Sequence, residues 1–171
     1  GLAGGFPGLL RLGADAGEVA HQVDRELGGA VVFAPDLADV GGVGGGSPAL
    51  KPARSQRVPL RGLAHHVLTW GDPGAPKLFL VHGWMDVAAS FQFLVDAFAR
   101  DRCVIAHDLR GFGDSAWQPQ GYWFADYVAD LEALIDAYAP DGSVDLCGHS
   151  PGGNVALLYA GIRPERERRA I

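Results

Sequence analysis

Cysteine is scarce in this chain: 171 residues hold two, Cys103 and Cys147, too few for a disulfide framework. Both fall in apolar runs that read as buried strands, so they read as small core residues, and a cytoplasmic location follows by default. Long hydrophobic runs are also missing. None approaches the roughly 18–20 residues a membrane span needs. The opening stretch Gly1–Gly13 has a short apolar patch but no basic start and no cleavage site, so no signal peptide is expected. Positive charge is in deficit, with 14 Lys and Arg against 20 Asp and Glu and a net charge of -6. That excludes general affinity for nucleic acid or an anionic membrane surface. What remains is ordinary for a globular protein of one domain: 48% hydrophobic and 20% charged residues, enough to bury a core.

The chain divides in two. Residues 1–56 carry about half of the 25 glycines. Ala14–Leu27 can form a short helix, with Val19, Val23 and Leu27 on one face, and Ala30–Ala34 a strand. Gly41–Pro48 has linker composition. Gly44, Gly46 and Ala49 fit a G-x-G-x-x-A pattern, but Pro48 and Pro52 forbid the helix that must follow it. This region is expected to be loosely ordered, and no function is assigned to it.

Residues 57–171 are punctuated regularly. Arg57–Trp70 reads as two short strands turning near Gly62, and Gly71-Asp72-Pro73-Gly74 as a turn. Leu78–Val81, Cys103–Ala106 and Val144–Cys147 are apolar runs expected of strands covered on both faces. Helices are expected between and after them. Phe91, Leu94, Val95 and Phe98 share one face. So do Phe124, Tyr127, Val128, Leu131, Leu134, Ile135 and Tyr138. The last helix presents Val155, Leu158, Tyr159 and Ile162, ending near Gly161 and Pro164. This alternation specifies an α/β fold, a mostly parallel sheet with helices on both faces.

One motif carries chemistry. Gly148-His149-Ser150-Pro151-Gly152 is a G-x-S-x-G that directly follows a buried strand and opens a helix. That is the setting of a nucleophile elbow, in which small residues flank a serine held at a helix N-terminus, where the dipole favours developing negative charge. The plainer reading is a strand-to-helix turn with Ser150 as N-cap. Two further segments bear on the choice. His82-Gly83-Trp84 follows the first parallel strand, and Asp108-Leu109-Arg110-Gly111-Phe112-Gly113-Asp114-Ser115 follows the second.

With these three motifs, in this order and spacing, the chain resembles the α/β-hydrolase superfamily, specifically its esterase-like single-domain members. The resemblance spans about Arg57–Ile171, the N-terminal part of such a domain, truncated after the elbow. It implies Ser150 as nucleophile and the Trp84 backbone N–H, just past His82-Gly83, as one oxyanion donor. His82 and His149 would shape their loops, Gly148 and Gly152 would permit the elbow, and Asp108 and Arg110 would hold the loop after the second strand. Phe112, Trp117, Tyr122 and Trp123 line a pocket or pack; the sequence leaves both open. The family's strand order also puts the strand of Leu78–Val81 between those of Cys103 and Cys147. The thiols would then lie two strand spacings apart, roughly 9–10 Å, beyond disulfide reach.

The chain departs from the pattern in four places. The family places an acid and then a histidine after the serine, but the 21 residues beyond Ser150 contain no histidine, and Glu165 and Glu167 are not where the acid belongs. Pro151 removes a backbone N–H where the second oxyanion donor is expected. His107 stands where proline is common, and Glu167 where an apolar residue leads into the next strand. With no initial methionine either, an incomplete protein is expected. Val144–Cys147 would then be an unpaired apolar edge, inviting aggregation. The resulting expectation is a serine hydrolase acting on small-molecule carboxylic esters or related acyl substrates, needing no metal or cofactor. The rival is a catalytically inactive fragment or binding scaffold lacking the acid and histidine. A dinucleotide-binding oxidoreductase fails, because no glycine-rich turn joins the first parallel strand to its helix. Substrate identity and oligomeric state are not specified.

Overall fold

The computed structural model describes residues 50–170. The helix and strand expected at 14–27 and 30–34, and the linker at 41–48, lie outside them. The first elements are an antiparallel hairpin, β1 (Arg54–Leu60) and β2 (Leu63–Trp70). Arg61 and Gly62 both have positive φ, 48° and 84°, the two-residue turn whose twist matches paired strands. Pro59 cannot donate to a ladder, and β1 is accordingly an edge strand.

The rest of the sheet is β3 (Lys77–Val81), β4 (Cys103–His107), β5 (Val144–Gly148) and β6 (Glu167–Ala170), in spatial order β1-β2-β4-β3-β5-β6. The last four strands run parallel, and β2 meets β4 antiparallel. The two thiols, Cys103 in β4 and Cys147 in β5, are buried, free and separated by β3. A 3-10 turn at Ala88–Phe91 leads into α1 (Gln92–Ala97). Helices α2 (Phe124–Tyr138) and α3 (Pro151–Ile162) complete the fold. One sheet face packs Phe91, Val95 and Phe98 on Leu68, Leu78, Leu80 and Val104. The other packs Leu131, Leu134, Ile135, Val155 and Tyr159 on Phe79, Val81, Ile105 and Leu146.

Two expectations are corrected. The outer edge of β5 is not bare, because the turn Pro164–Arg166 brings residues 167–170 back alongside it as β6. The ground for expecting aggregation at β5 is thereby removed. Three of the four β6 residues are charged, which hides the strand from an apolar pattern and is a common protection of an outer edge. The second correction concerns α3. Val155 and Tyr159 are buried, but Leu158 and Ile162 are exposed, with Leu157. The inward face is Gly152, Gly153, Val155, Ala156 and Tyr159. Small residues let the start of the helix sit directly on the strand ends, and this close approach sets the rotation of the whole helix.

His65 and His107 lie side by side inside the sheet–α2 layer, both fully buried with ring centroids 5.5 Å apart. Burial pushes both imidazoles below their ordinary range, His107 furthest, where His65 and His82 add to the effect. The folded chain therefore binds fewer protons than the unfolded chain once the pH falls below about 6.5. Stability present above that pH is lost on acidification, by up to about 1.4 kcal/mol per pH unit for each such histidine. Urea titrations at about pH 7.5, 6.5 and 5.5 should show the loss, and His107→Leu should flatten it. An unchanged slope in His107→Leu would exclude His107 as a contributor.

Candidate active site

β3 and β5 are neighbours and parallel, so the segments leaving their C-terminal ends meet. The His149 N–H donates to the Val81 carbonyl at 3.0 Å, tying the second segment to the first. Between β5 and α3 the chain has room for backbone only. A Cβ on Gly148 would stand 2.3 Å from the Gly152 carbonyl oxygen, and one on Gly152 would stand 2.2 Å from that of Val81. Both obstacles are backbone, the first in the opening turn of α3 and the second at the end of β3. Gly152→Ala is therefore expected to cost about 3 kcal/mol, the upper range for overpacking, measured by urea unfolding. A loss below about 1 kcal/mol would mean that the turn can reshape.

Squeezed between them, Ser150 adopts φ 56° and ψ -126°. For a non-glycine residue this is a strained backbone, worth about 1–3 kcal/mol and usually met at functional sites. Ser150 precedes the helix in N-cap position, yet its side chain makes no cap hydrogen bond. The N-cap reading therefore fails, and the hydroxyl stands exposed at the turn. Met85, in the segment after β3, also has positive φ, 57°. Apart from the hairpin residue Arg61, these are the two non-glycine positive-φ residues among those described.

His82 is buried and fully engaged. Its Nε2 accepts the Leu109 N–H at 2.9 Å, so the ring proton sits on Nδ1 and is donated to the Gly83 carbonyl at 2.8 Å. Burial also lowers its pKa. A neutral imidazole with both nitrogens committed is a structural tie between the segments after β3 and β4 and has no lone pair left for catalysis. The His149 ring lies against Gly83, with Nδ1 2.7 Å from where a Cβ there would be. Trp84 is exposed, its ring edge-on to Phe112 at 5.3 Å, and Phe112 in turn meets His82 at 5.5 Å. Among the described residues no backbone acceptor takes the Trp84 N–H.

The loop after β4 is held by buried charges. Asp108 accepts the Ala88 N–H on Oδ1 (2.7 Å), and the Asp114 N–H and His66 Nδ1 on Oδ2 (both 2.9 Å). Arg110, buried, makes a bidentate pair with Asp130 of α2 at 2.6 Å and 2.6 Å, and also bonds Gln118. Asp130 belongs to none of the three motifs. The signal was present, since a carboxylate three residues after Tyr127 and four before Leu134 sits on the helix's apolar stripe. Of the aromatics left open, Phe112 packs between His82 and Trp84. Tyr122 closes on Gly111, and Trp117 and Trp123 are exposed. A cleft of about 430 Å³ between residues 74–77 and 138–143 opens at the strands' opposite ends, away from Ser150.

Comparison with known proteins accords with this geometry. A family described as alpha/beta hydrolase fold matches residues 76–171, more than half of the chain. A serine hydrolase-like protein of Danio rerio is 35% identical over 98 residues, covering 56% of this chain and 30% of that protein. Human epoxide hydrolase 4 is 31% identical over 117 residues, covering 67% and 32%. Among solved structures, the thioesterase domain from a curacin biosynthetic pathway superposes with a TM-score of 0.64 at 26% identity, covering 70% of this chain and 45% of that one. An epoxide hydrolase from Vigna radiata gives 0.62 at 29% identity, covering 69% and 38%. The chain spans about a third of the length of the curated relatives it matches. No helix among the described residues is long and apolar enough to cross a membrane. The family match, with the strand order and the strand–turn–helix at Ser150, places the chain in the α/β-hydrolase fold family.

Proposed function

We propose that this chain carries the nucleophile half of a serine hydrolase acting on carboxylic esters or related acyl substrates. The observation that carries the reading is Ser150 itself: strained, exposed, at a helix N-terminus, and with a hydroxyl not spent on capping. Ser150 Oγ attacks the carbonyl carbon, the tetrahedral oxyanion is met by the Trp84 N–H, and water releases the acyl-enzyme. Several relatives are named epoxide hydrolases. Serine at the elbow favours acyl transfer, since an aspartate there is what suggests epoxide-opening chemistry. His82 is excluded as base by its hydrogen bonds, and residues 151–171 hold no histidine.

A second reading, an inactive hydrolase-like binding scaffold, is favoured by Pro151, which deletes a donor from the site. Fluorophosphonate labelling separates the two, because the reagent needs an activated serine and no known substrate. Labelling of the purified chain at Ser150, located by mass spectrometry and lost in Ser150→Ala, would show a base and an oxyanion site at work and so carry the hydrolase reading. No adduct there in a sample folded by circular dichroism would leave the scaffold reading.

A further inference from the structure

A second serine stands in a hydrogen-bonded chain of the kind that activates a nucleophile, on the β1–β2 hairpin at the edge of the sheet. Ser55 Oγ lies 2.9 Å from His66 Nε2, and His66 Nδ1 lies 2.9 Å from Asp108 Oδ2. The proton positions follow from the acceptors. The Asp108 carboxylate already takes two backbone N–H groups, from Ala88 and Asp114, and offers His66 only lone pairs. A ring proton therefore sits on Nδ1, and in the neutral imidazole Nε2 carries the free pair and accepts the Ser55 hydroxyl. That tautomer is the one a general base requires.

The arrangement is fixed at the base and open at the serine. The side chain of Asp108 is 4% exposed and that of His66 15%, whereas Ser55 is exposed. His66 is clamped through its backbone as well. Its N–H donates to Ser115 Oγ at 2.9 Å, its carbonyl accepts the Asp108 N–H at 2.9 Å, and Ser115 Oγ returns to the Asp108 carbonyl at 2.6 Å. Arg57 is the direct cross-strand partner of His66 and lies two residues from Ser55 on the same strand face. Its Nη1 donates to the Asp114 carbonyl at 2.6 Å, which ties the positive side chain of that face to the loop after β4.

We propose that Ser55, His66 and Asp108 form a second acyl-transfer site, independent of Ser150, for small activated acyl donors such as aryl acetates. The surface is the open face of an edge hairpin, which suits compact donors arriving from solvent. Ser55 Oγ bonds to the carbonyl carbon as its proton passes to His66 Nε2, and the Arg57 charge favours the oxyanion. Collapse of that intermediate breaks the bond to the aryl oxygen, which leaves with the proton from His66. Water, losing a proton to the same nitrogen, attacks acyl-Ser55 and releases the acid, and the proton returns to Ser55. Asp108 orients the ring and touches no substrate.

The test is a fluorophosphonate reaction on the full chain bearing Ser150→Ala, with adducts located by mass spectrometry. An adduct on Ser55 is expected, as is hydrolysis of 4-nitrophenyl acetate above the buffer rate that disappears on adding Ser55→Ala. His66→Gln, which keeps a polar side chain without a base, should slow Ser55 labelling by about 100-fold or more. No adduct at Ser55 in the Ser150→Ala chain overturns the proposal, without any need for a His66 variant. Equal labelling rates in a folded His66→Gln chain overturn it too, since Ser55 would then react merely as an exposed hydroxyl. The two sites are read at different residues, so failure here and failure at Ser150 are separate results.

Discussion

In a protein that completes the triad with the missing acid and histidine, replacing Pro151 with methionine is expected to raise the rate of fluorophosphonate modification at Ser150 by ~10²–10³-fold, the factor associated with one oxyanion donor. Position 151 is the first residue of α3, and the N–H of a first helical residue has no partner within the helix. The helix's own early bonds begin further on, with Gly152 N–H to the His149 carbonyl and Gly153 N–H to the Ser150 carbonyl, both at 2.9 Å. Proline at 151 therefore costs the helix nothing and removes only the donor that faces the serine turn. Restoring an N–H returns that donor without rebuilding anything else. The side chain is immaterial to this reasoning, so Pro151→Ala should give a gain of the same order. Releasing the constrained φ should destabilise the fold by about 0.4–1 kcal/mol, so activity and stability move in opposite directions. With the triad completed, a folded Pro151→Met protein with an unchanged rate would mean that the oxyanion is held from another direction.

Much of the fold was legible because its sequence signals are local. A wholly apolar run of four or five residues, as in β3 or β4, has few solutions other than a strand covered on both faces. Arg61-Gly62 is short and flexible enough to fix a hairpin. The strand–turn–helix at Ser150 could be read because Gly148 and Gly152 sit where a Cβ would strike backbone. The parts that were not legible depend on tertiary partners. β6 is charged, and it is a strand only because β5 offers it a ladder. The buried face of α3 is set by the seating of Gly152 on the end of β3, so a periodicity of large apolar residues pointed to Leu158 and Ile162, which face outward. His66 carries no motif at all. It gains a role because the β2–β4 pairing brings it to Asp108.

Asp130→Ala is expected to destabilise the chain by about 3–5 kcal/mol, the cost of leaving one member of a buried ion pair alone. The carboxylate is fully buried and serves two cations, with both oxygens on Arg110 at 2.6 Å and Oδ1 on Arg61 at 3.2 Å, while His65 Nε2, kept from charging by burial, lies 3.6 Å away. Without it the Arg110 guanidinium, 2% exposed, keeps only Gln118 and the more distant Asp126 at 3.4 Å. The penalty belongs to the stranded charge and not to the pair as such, which yields a sharper expectation. Removing both charges, as Asp130→Leu with Arg110→Met, should recover most of the loss, because a packed apolar pair of similar volume avoids the desolvation of both ions. Urea unfolding of the two single variants and the double variant measures the coupling. Additive losses would show that the pair is not the unit. The consequence reaches the site, since Arg110 anchors the loop that carries Phe112 against Trp84. A folded Asp130→Ala chain should therefore also show a more mobile Trp84, visible as lower fluorescence anisotropy in a variant in which Trp84 is the sole tryptophan. The double variant restores core packing without the ionic anchor, so it should recover stability before it recovers order at Trp84. That separation would assign the charged pair to positioning the loop and the apolar core to holding the fold.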